Sequence, residues 1–370
     1  MEKKVGILTW HDPSNCGSAL QAYALQTYLC EQGTDAQIIR YVPLWCRGDC
    51  MLMPWRQLSF KQKLKRLTKT SLLPLYYHLP RAIQQRISPF FPFYNQCCRM
   101  TQPCTEANIA EVCKPFTTII SGSDQIWNPN HIDSIFLQNF AANNVNKISY
   151  AASLGGKVLP DEYTSLYKDS LKKFGAISVR ENDGLELLKA IGITADVHVD
   201  PTLLLSASHY RSLEKPVVEV KKPFAFCYFL TTDIEYRSQV QEYVKQHNLE
   251  TVGFSAQKED SSWMKIVNPM GPREWLWLID NADVVMTNSY HATLLSLILH
   301  TPFFTFLRFD SKSNKSQNAR LEQLNSYFGI ADYLVSSEFP NIPAYPFSKF
   351  DEKLPVLQQK ARKYLLGNIK

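Results

Sequence analysis

Three short clusters in this 370-residue chain have residue types and spacing suited to chemistry. The first is His11-Asp12-Pro13-Ser14-Asn15-Cys16-Gly17-Ser18. Gly17 lets the backbone come close to a ligand. A helix starting behind it would turn unpaired N–H groups and a partial positive charge toward an anion. The run lacks the GK[ST] ending of a Walker A loop and is not GxGxxG, so a plain strand-to-helix turn capped by Ser18 accounts for it equally well. The second cluster is Ser178-Val179-Arg180-Glu181. An Arg at the end of an apolar strand suits bidentate recognition of a carboxylate or phosphate; the alternative is a salt bridge to Glu181 or Asp183. The third is Thr287-Asn288-Ser289-Tyr290-His291-Ala292. It joins an apolar strand to an apolar helix and puts His291 in the first helical turn, where a proton carrier can face a cleft.

These clusters need strand ends and helix starts to hold them, and the hydrophobic pattern supplies both. Strands are predicted at Val5–Trp10, Thr117–Ser121, Lys147–Ala152, Ala176–Val179 and Val197–Val199. Helices are predicted at Ser18–Glu31, with Leu20, Ala24, Leu25, Tyr28 and Leu29 on one face, and at Asp183–Ile191. The second half repeats the alternation. Its strands are Phe224–Leu230, Thr251–Phe254, Asp283–Thr287 and Phe303–Leu307; its helices are Ile234–His247, Pro272–Asn281, Tyr290–Leu299 and Arg320–Phe328. Strand–helix alternation predicts an α/β fold of two doubly wound, Rossmann-like domains facing a cleft, with ligands outside the carboxyl ends of the strands. The expected limits are an N-terminal domain at 1–205, a C-terminal domain at 206–345, and a C-terminal helix at 346–370 packing back on the first domain. Leu205–Pro223 reads as the connection between the two domains.

Composition narrows the function classes. A hydrophobic fraction of 45% and a charged fraction of 20% are those of an ordinary globular protein. No apolar run approaches the roughly 18–20 residues of a membrane span. MEKKVGILTW meets polar His11-Asp12-Pro13 too soon for a signal peptide, which predicts a cytoplasmic protein. The nine cysteines have neither an even count nor paired C-x2-C spacing, so free thiols are expected and no metal site. The net charge of +6 is concentrated. From Met51 to Thr105 there is no Asp or Glu but nine Lys and Arg, interleaved with large aromatics, so the rest of the chain is net acidic. An insertion of this kind at about 51–105 suits an anionic membrane surface or ligand, or else a solvated subdomain whose aromatics pack on the body. No recognition motif accompanies the charge, which argues against nucleic acid.

Five motifs in order carry a family resemblance. Asn15-Cys16-Gly17-Ser18 followed by Leu20-Gln21-Ala22-Tyr23-Ala24-Leu25-Gln26 resembles the N-terminal motif of the polysaccharide pyruvyltransferase family. Ser121-Gly122-Ser123-Asp124-Gln125-Ile126-Trp127-Asn128, Ser178-Val179-Arg180-Glu181, Asp200-Pro201-Thr202-Leu203-Leu204 and Thr287-Asn288-Ser289-Tyr290-His291-Ala292-Thr293 are similar to its later motifs. The resemblance spans about residues 5–330. It implies a fold like the two-domain, GT-B type glycosyltransferases. It also implies transfer of a pyruvyl group from phosphoenolpyruvate to two hydroxyls of a sugar, as a cyclic ketal, with no cofactor and no metal.

On that resemblance His291 is the catalytic residue and Arg180 the strand-end arginine. Asn15, Gly17, Ser18, Gln21, Ser123, Asp124, Asn288 and Ser289 line the substrate site. The chain departs at Ser289-Tyr290-His291, where some members have Arg-Leu-His; Arg308, past the next strand, is the candidate replacement for the missing cation. The expected acceptor is a sugar or a polyprenyl-diphosphate-linked oligosaccharide at the inner membrane face, with residues 51–105 touching anionic lipid. Two other readings stand beside it: a GT-B glycosyltransferase using a nucleotide-sugar, and a non-catalytic anion- or sugar-binding relative.

Overall fold

A computed structural model of the chain describes residues 3–11, 15–41, 89–230, 236–255, 258–307, 319–335, 339, 345 and 347–370. Asp12-Pro13-Ser14, Arg308 and the basic stretch up to residue 88 lie outside the described residues.

Strand β1 (Lys4–Leu8) places Val5, Ile7 and Leu8 wholly inside. Strands β2 (Asp35–Ile38), β3 (Thr118–Ser121) and β4 (Asn146–Ser149) join it in the parallel order β2-β1-β3-β4. Strands β5 (Ser178–Val179) and β6 (Asp196–Val197) pair with each other, and bridges from Ile148 to Ala176 and from Ala152 to Val179 carry them on beyond β4. Reading across, the chain reverses direction of growth between β1 and β3, and such a switch point opens a crevice at the carboxyl ends of the two strands.

The second sheet contains β7 (Phe224–Phe229), β8 (Glu250–Ser255), β9 (Lys265–Ile266), β10 (Val284–Thr287), β11 (Phe303–Phe306) and β12 (Leu334–Val335). Its order, β12-β11-β10-β7-β8-β9, is all parallel and has its switch point between β7 and β10. Every residue of β7 is buried, as expected of a parallel strand covered on both faces. The chain thus has two Rossmann-like sheets with helices between and around them, an α/β architecture of the GT-B type.

Among the helices of the first half, α1 (Cys16–Glu31) departs from its expected one-sided pattern. Ala19, Ala22, Gln21 and Gln26 are buried along with the predicted apolar face. The helix is clasped by β2, by the Pro201–Leu204 turn and by a helix of the second half, so no face is left for water. Of the two buried glutamines, Gln26 both donates to Arg99 O and accepts from Arg99 N. The helix stops at Gly33, whose φ of 79° supplies the left-handed turn.

Helix α2 (Phe90–Cys97) closes the acid-free segment. It buries Phe90, Phe93 and Tyr94, and Tyr94 Oη donates to His11 O at 2.8 Å. Helices α3 (Ile109–Val112), α4 (Asp161–Leu171) and α5 (Asn182–Ala190) follow in turn. The stretch read as a connection carries a helix of its own, α6 (Ala207–Leu213). Its Tyr210 is buried with Oη donating to Thr202 O, and Arg211 holds Asp280 bidentately, so this segment is docked through α6.

The second half adds α7 (Arg237–Gln246), α8 (Pro272–Asn281), α9 (Tyr290–Leu299) and α10 (Ala319–Phe328). The last helix, α11 (Phe347–Asn368), meets both halves. Phe350 packs on Phe328, while Tyr364 Oη donates to Ser149 O and Asn368 O accepts from Asn146 Nδ2. One continuous apolar cluster runs from Val5 and Leu29 through Leu203 and Tyr210 to Trp275, Leu295 and Phe328, and on to Leu365. The seven cysteines among the described residues are free, and no helix among them is long and apolar enough to cross a membrane.

Candidate functional site

The two switch points face each other, and the polar clusters stand where they meet. Just past β1, Thr9 Oγ1 donates to Ser123 O at 2.7 Å, tying the ends of β1 and β3 together. Just past β7, Leu230 N donates to Asn288 Oδ1 at 2.8 Å, doing the same for β7 and β10. Between these ties α1 and α9 begin, and Gly17 of α1 lies against the ring of His291 in the first turn of α9. A β-carbon on Gly17 would fall 2.6 Å from His291 Cγ and closer still to Nδ1. Only a glycine allows that approach.

A carboxylate that the sequence reading had not placed in the site organises the rest. Asp200, fully buried, follows β6 at the head of the Pro201–Leu204 turn. Its Oδ2 accepts from Arg180 Nη1 at 2.7 Å and from Ser123 Oγ at 2.9 Å, and lies 3.4 Å from His291 Nε2. Its Oδ1 accepts from Thr202 N and Thr202 Oγ1. Burial alone would raise this carboxyl, but His291, Arg180 and the Thr202 N–H outweigh it and hold Asp200 well below the usual carboxylate range. The motif Asp200-Pro201-Thr202 was visible in the sequence. The signal for a role was an Asp inside an otherwise apolar run at a strand exit.

The remaining predicted residues sort into two groups. Ser18 donates to Asp124 Oδ2 at 2.5 Å, and Asp124 is held in the left-handed region at φ 68° with Oδ1 accepting from its neighbour Gln125 N. Burial works to raise the Asp124 carboxyl; His291, Arg180 and Ser18 more than offset it, so it too is held low. With Gly17, Ser123, Arg180 and His291, these residues surround Asp200. The helix cap is not Ser18 but Asn15, whose Oδ1 accepts from Ser18 N at 3.2 Å; its extended backbone aims the carbonyl at the helix start and leaves the Ser18 hydroxyl for Asp124.

The second group supports the walls. Gln21 Nε2 donates to Thr9 Oγ1, Trp10 O and Ser18 O. Asn288 Nδ2 donates to Tyr236 Oη, and Ser289 caps α9 by accepting from Ala292 N. Arg308 lies outside the described residues.

Arg180 is 2% exposed, and its salt bridge is to Asp200, with Glu181 Oε2 more distant at 3.7 Å from Nε. Glu181 itself is occupied by Ser153 Oγ, Leu154 N and Gly155 N. Burial acts against the Arg180 charge, yet Tyr290, Asp200 and Glu181 raise its pKa. Among the described residues Arg180 Nη2 has no hydrogen-bond partner. The Arg180 guanidinium sits 4.7 Å from the centre of the Tyr290 ring, and Arg320 of α10 approaches the same ring at 5.4 Å. Neither Tyr290 nor Arg320 was expected here from the sequence. Among the described residues no group of three or more His, Cys, Asp or Glu is arranged to hold a metal ion.

The arrangement is a buried imidazole backed by a carboxylate, beside a guanidinium fixed by that same carboxylate. It can carry a proton and hold an anion next to it. A sequence match to the polysaccharide pyruvyl transferases spans residues 15–311, from the cap of α1 past β11, and takes in Gly17, Asp124, Arg180, Asp200 and His291. The chain belongs to that family. This pyruvyl transferase is therefore a transferase of polysaccharide chemistry, acting on a sugar or polysaccharide acceptor.

No curated protein matches the chain in sequence. In fold it is similar to UDP-N-acetylglucosamine 2-epimerases. The Rickettsia bellii enzyme superposes with a TM-score of 0.52 at 10% identity, covering 100% of this chain and 97% of that one. The Methanocaldococcus jannaschii enzyme gives 0.51 at 10% identity over 97% and 93%, and the Neisseria meningitidis enzyme, bound to UDP-GlcNAc, 0.51 at 8% over 100% of both. At these identities the likeness is one of fold, the paired Rossmann-like architecture of GT-B proteins.

Proposed function

We propose that this pyruvyl transferase moves the enolpyruvyl group of phosphoenolpyruvate onto two hydroxyls of a sugar, forming a cyclic pyruvate ketal and releasing phosphate. The observation that carries the reading is the His291–Asp200–Arg180 cluster at the meeting of two switch points, in a chain of this family. The donor's methylene carbon takes a proton, which leaves cationic character on the carbon bearing the phosphate oxygen. One sugar hydroxyl adds there and gives up its proton. A second hydroxyl then displaces inorganic phosphate and closes the ring. His291 is suited to supply the first proton or to accept one from the attacking hydroxyl, with Asp200 stabilising the imidazolium. The cationic side of the site suits the donor's carboxylate and phosphate. No cofactor enters this scheme; phosphoenolpyruvate is a substrate.

The acceptor in this reading is a surface-polysaccharide sugar or its polyprenyl-diphosphate-linked precursor, and the basic, aromatic stretch 51–105 docks the enzyme peripherally on anionic lipid at the inner membrane face. Charge reversal at Lys61, Lys63 and Lys65 is expected to weaken binding to anionic vesicles.

Thermal stability with phosphoenolpyruvate, and with UDP-sugars and CMP-sialic acid as controls, tests the donor. A ligand at 100 times its Kd adds about 2.7 kcal/mol, a readily measured rise in melting temperature. A rise with phosphoenolpyruvate alone is the expected result. A rise only with a sugar nucleotide would replace this reading by glycosyl transfer.

A further inference from the structure

The geometry points to Nδ1 of His291 as the nitrogen that passes the proton, and to Asp200 as the positioning residue that reserves it by holding Nε2. This assignment rests on the reaction proposed above and deepens it to single atoms.

The two ring nitrogens stand in different surroundings. Nε2 is buried and lies 3.4 Å from Asp200 Oδ2. That oxygen also takes Arg180 Nη1 at 2.7 Å and Ser123 Oγ at 2.9 Å, and Asp200 is 0% exposed, so no substrate reaches Nε2 from its side. Nδ1 belongs to the ring edge that lies against Gly17 at the start of α1. Among the described residues Nδ1 makes no hydrogen bond. A β-carbon at position 17 would fall against Cβ, Cγ and Nδ1 of His291, so the glycine is what leaves this edge uncovered.

Charge then sets the tautomer. Asp200 is ionised, because His291, Arg180 and the Thr202 N–H hold it low against burial. An ionised carboxylate accepts hydrogen bonds and donates none. Ser123 directs its hydroxyl hydrogen to Asp200, and Arg180 Nη1 donates to Asp200 and to Ser123 Oγ, so neither donates to Nε2. A bare Nε2 would set its lone pair against the carboxylate, whereas Nε2–H turns a donor to it. The neutral ring is therefore the Nε2–H form, with its lone pair on Nδ1. The 3.4 Å contact is long for a hydrogen bond and is of the kind that tightens when substrate binds.

One nitrogen then serves as acid and as base. With both nitrogens protonated, the Nδ1 proton goes to the methylene carbon of the donor. The electron pair of the carbon–carbon double bond forms the new C–H bond, and the ring is left in its Nε2–H form. The first sugar hydroxyl adds to the neighbouring carbon and gives its proton to Nδ1. The proton of the second hydroxyl leaves with phosphate. Nε2 keeps its hydrogen throughout, facing Asp200.

Nitrogen-15 NMR of the full chain, labelled at its eight histidines, tests this. The His291 ring is assigned by the signals lost in His291→Gln, or in His291→Asn if the first variant does not fold. Spectra are recorded at rising pH until the ring is neutral. The expected result is a protonated Nε2 and a bare Nδ1. A neutral ring protonated at Nδ1 overturns the assignment. Phosphoenolpyruvate is then added, with binding followed by calorimetry. A change at Nδ1 with Nε2 still protonated is expected. A bound donor that changes only Nε2, or neither nitrogen, overturns the assignment. If phosphoenolpyruvate does not bind, the donor reading fails, and the tautomer of the wild type alone decides the place of Asp200. In Asp200→Asn the preference for Nε2–H is expected to be lost. Turnover per folded molecule should fall about 10²–10⁴-fold, with donor binding not weakened. Asp200→Glu, which keeps a carboxylate, is expected to keep the Nε2–H form. Asp200→Asn with the wild-type tautomer and turnover overturns the positioning role; should that variant not fold, the wild-type tautomer decides.

Discussion

Gly17 and His291 touch across the meeting of the two halves. The α-carbon of one helix start lies so close to the imidazole of the other that a β-carbon would fall 2.6 Å from His291 Cγ. The imidazole is therefore held on one side by backbone and on the other by Asp200 Oδ2 at 3.4 Å. Gly17→Ala should push the ring off this seat. A misplacement of about 1 Å at a reacting group costs on the order of 10²-fold. The expected outcome is a drop in turnover of that order with donor affinity little changed, read from steady-state rates beside a calorimetric donor titration.

His291→Ala should lower turnover by ~10²–10⁴-fold, the usual worth of a positioned acid or base. Donor affinity should stay near wild type, because the binding cations remain. Normal turnover by the purified variant would remove His291 from the chemistry.

Asp200→Asn leaves Arg180 buried without its counter-charge. Breaking a buried pair from one side costs about 3–5 kcal/mol. Urea unfolding should show a loss of that size, whereas Arg180→Met together with Asp200→Asn should recover part of it. A double variant no better than the single would show that Thr202 and Ser123, rather than Arg180, account for Asp200.

Stability should also fall on the acid side in two stages. His198 is buried between Tyr150 and Tyr364, its ring centre 4.6 Å from that of Tyr364. Burial, and after it Lys360, pushes its pKa from 6.5 down to about 4. The unfolded chain thus takes up this proton first, so stability is complete above about pH 6.5 and declines as pH falls toward 4. Asp124 and Asp200, both held low, add stability that is present above the ordinary carboxyl value of 3.8 and is lost below it. His198→Phe should abolish the first stage and leave the second, as followed by melting temperature against pH.

Much of the scaffold was legible because local signals agreed with the fold. Helix α8 begins at Pro272 and α9 follows the Ser289 cap, and both match their predicted bounds, since a first-turn Pro and a capping hydroxyl act within four residues. The strands around Phe224 and Phe303 were legible as short apolar runs. The first cluster was misjudged in detail: Asn15 caps α1, which frees Ser18 for Asp124, a residue more than a hundred positions away. Asp200 and Arg320 were missed for the same reason. Their places beside the site come from neighbours that only the folded chain supplies: Arg180 and His291 for the one, Tyr290 for the other. The all-round burial of α1 likewise depends on what packs over it, not on its own pattern.

The apolar cluster that threads both sheets and the last helix has a further meaning for how the molecule comes apart. Residues such as Leu29, Leu203, Trp275 and Leu365 share one interior, so neither half can release its water-shy surface without exposing that of the other. Calorimetric melting should then give a single endotherm whose van't Hoff and calorimetric enthalpies agree. A fragment ending near residue 205 should be recovered as aggregate. Opening of the cleft, where it occurs, has to take place by hinging within an intact unit, because the two halves have no separate existence to return to.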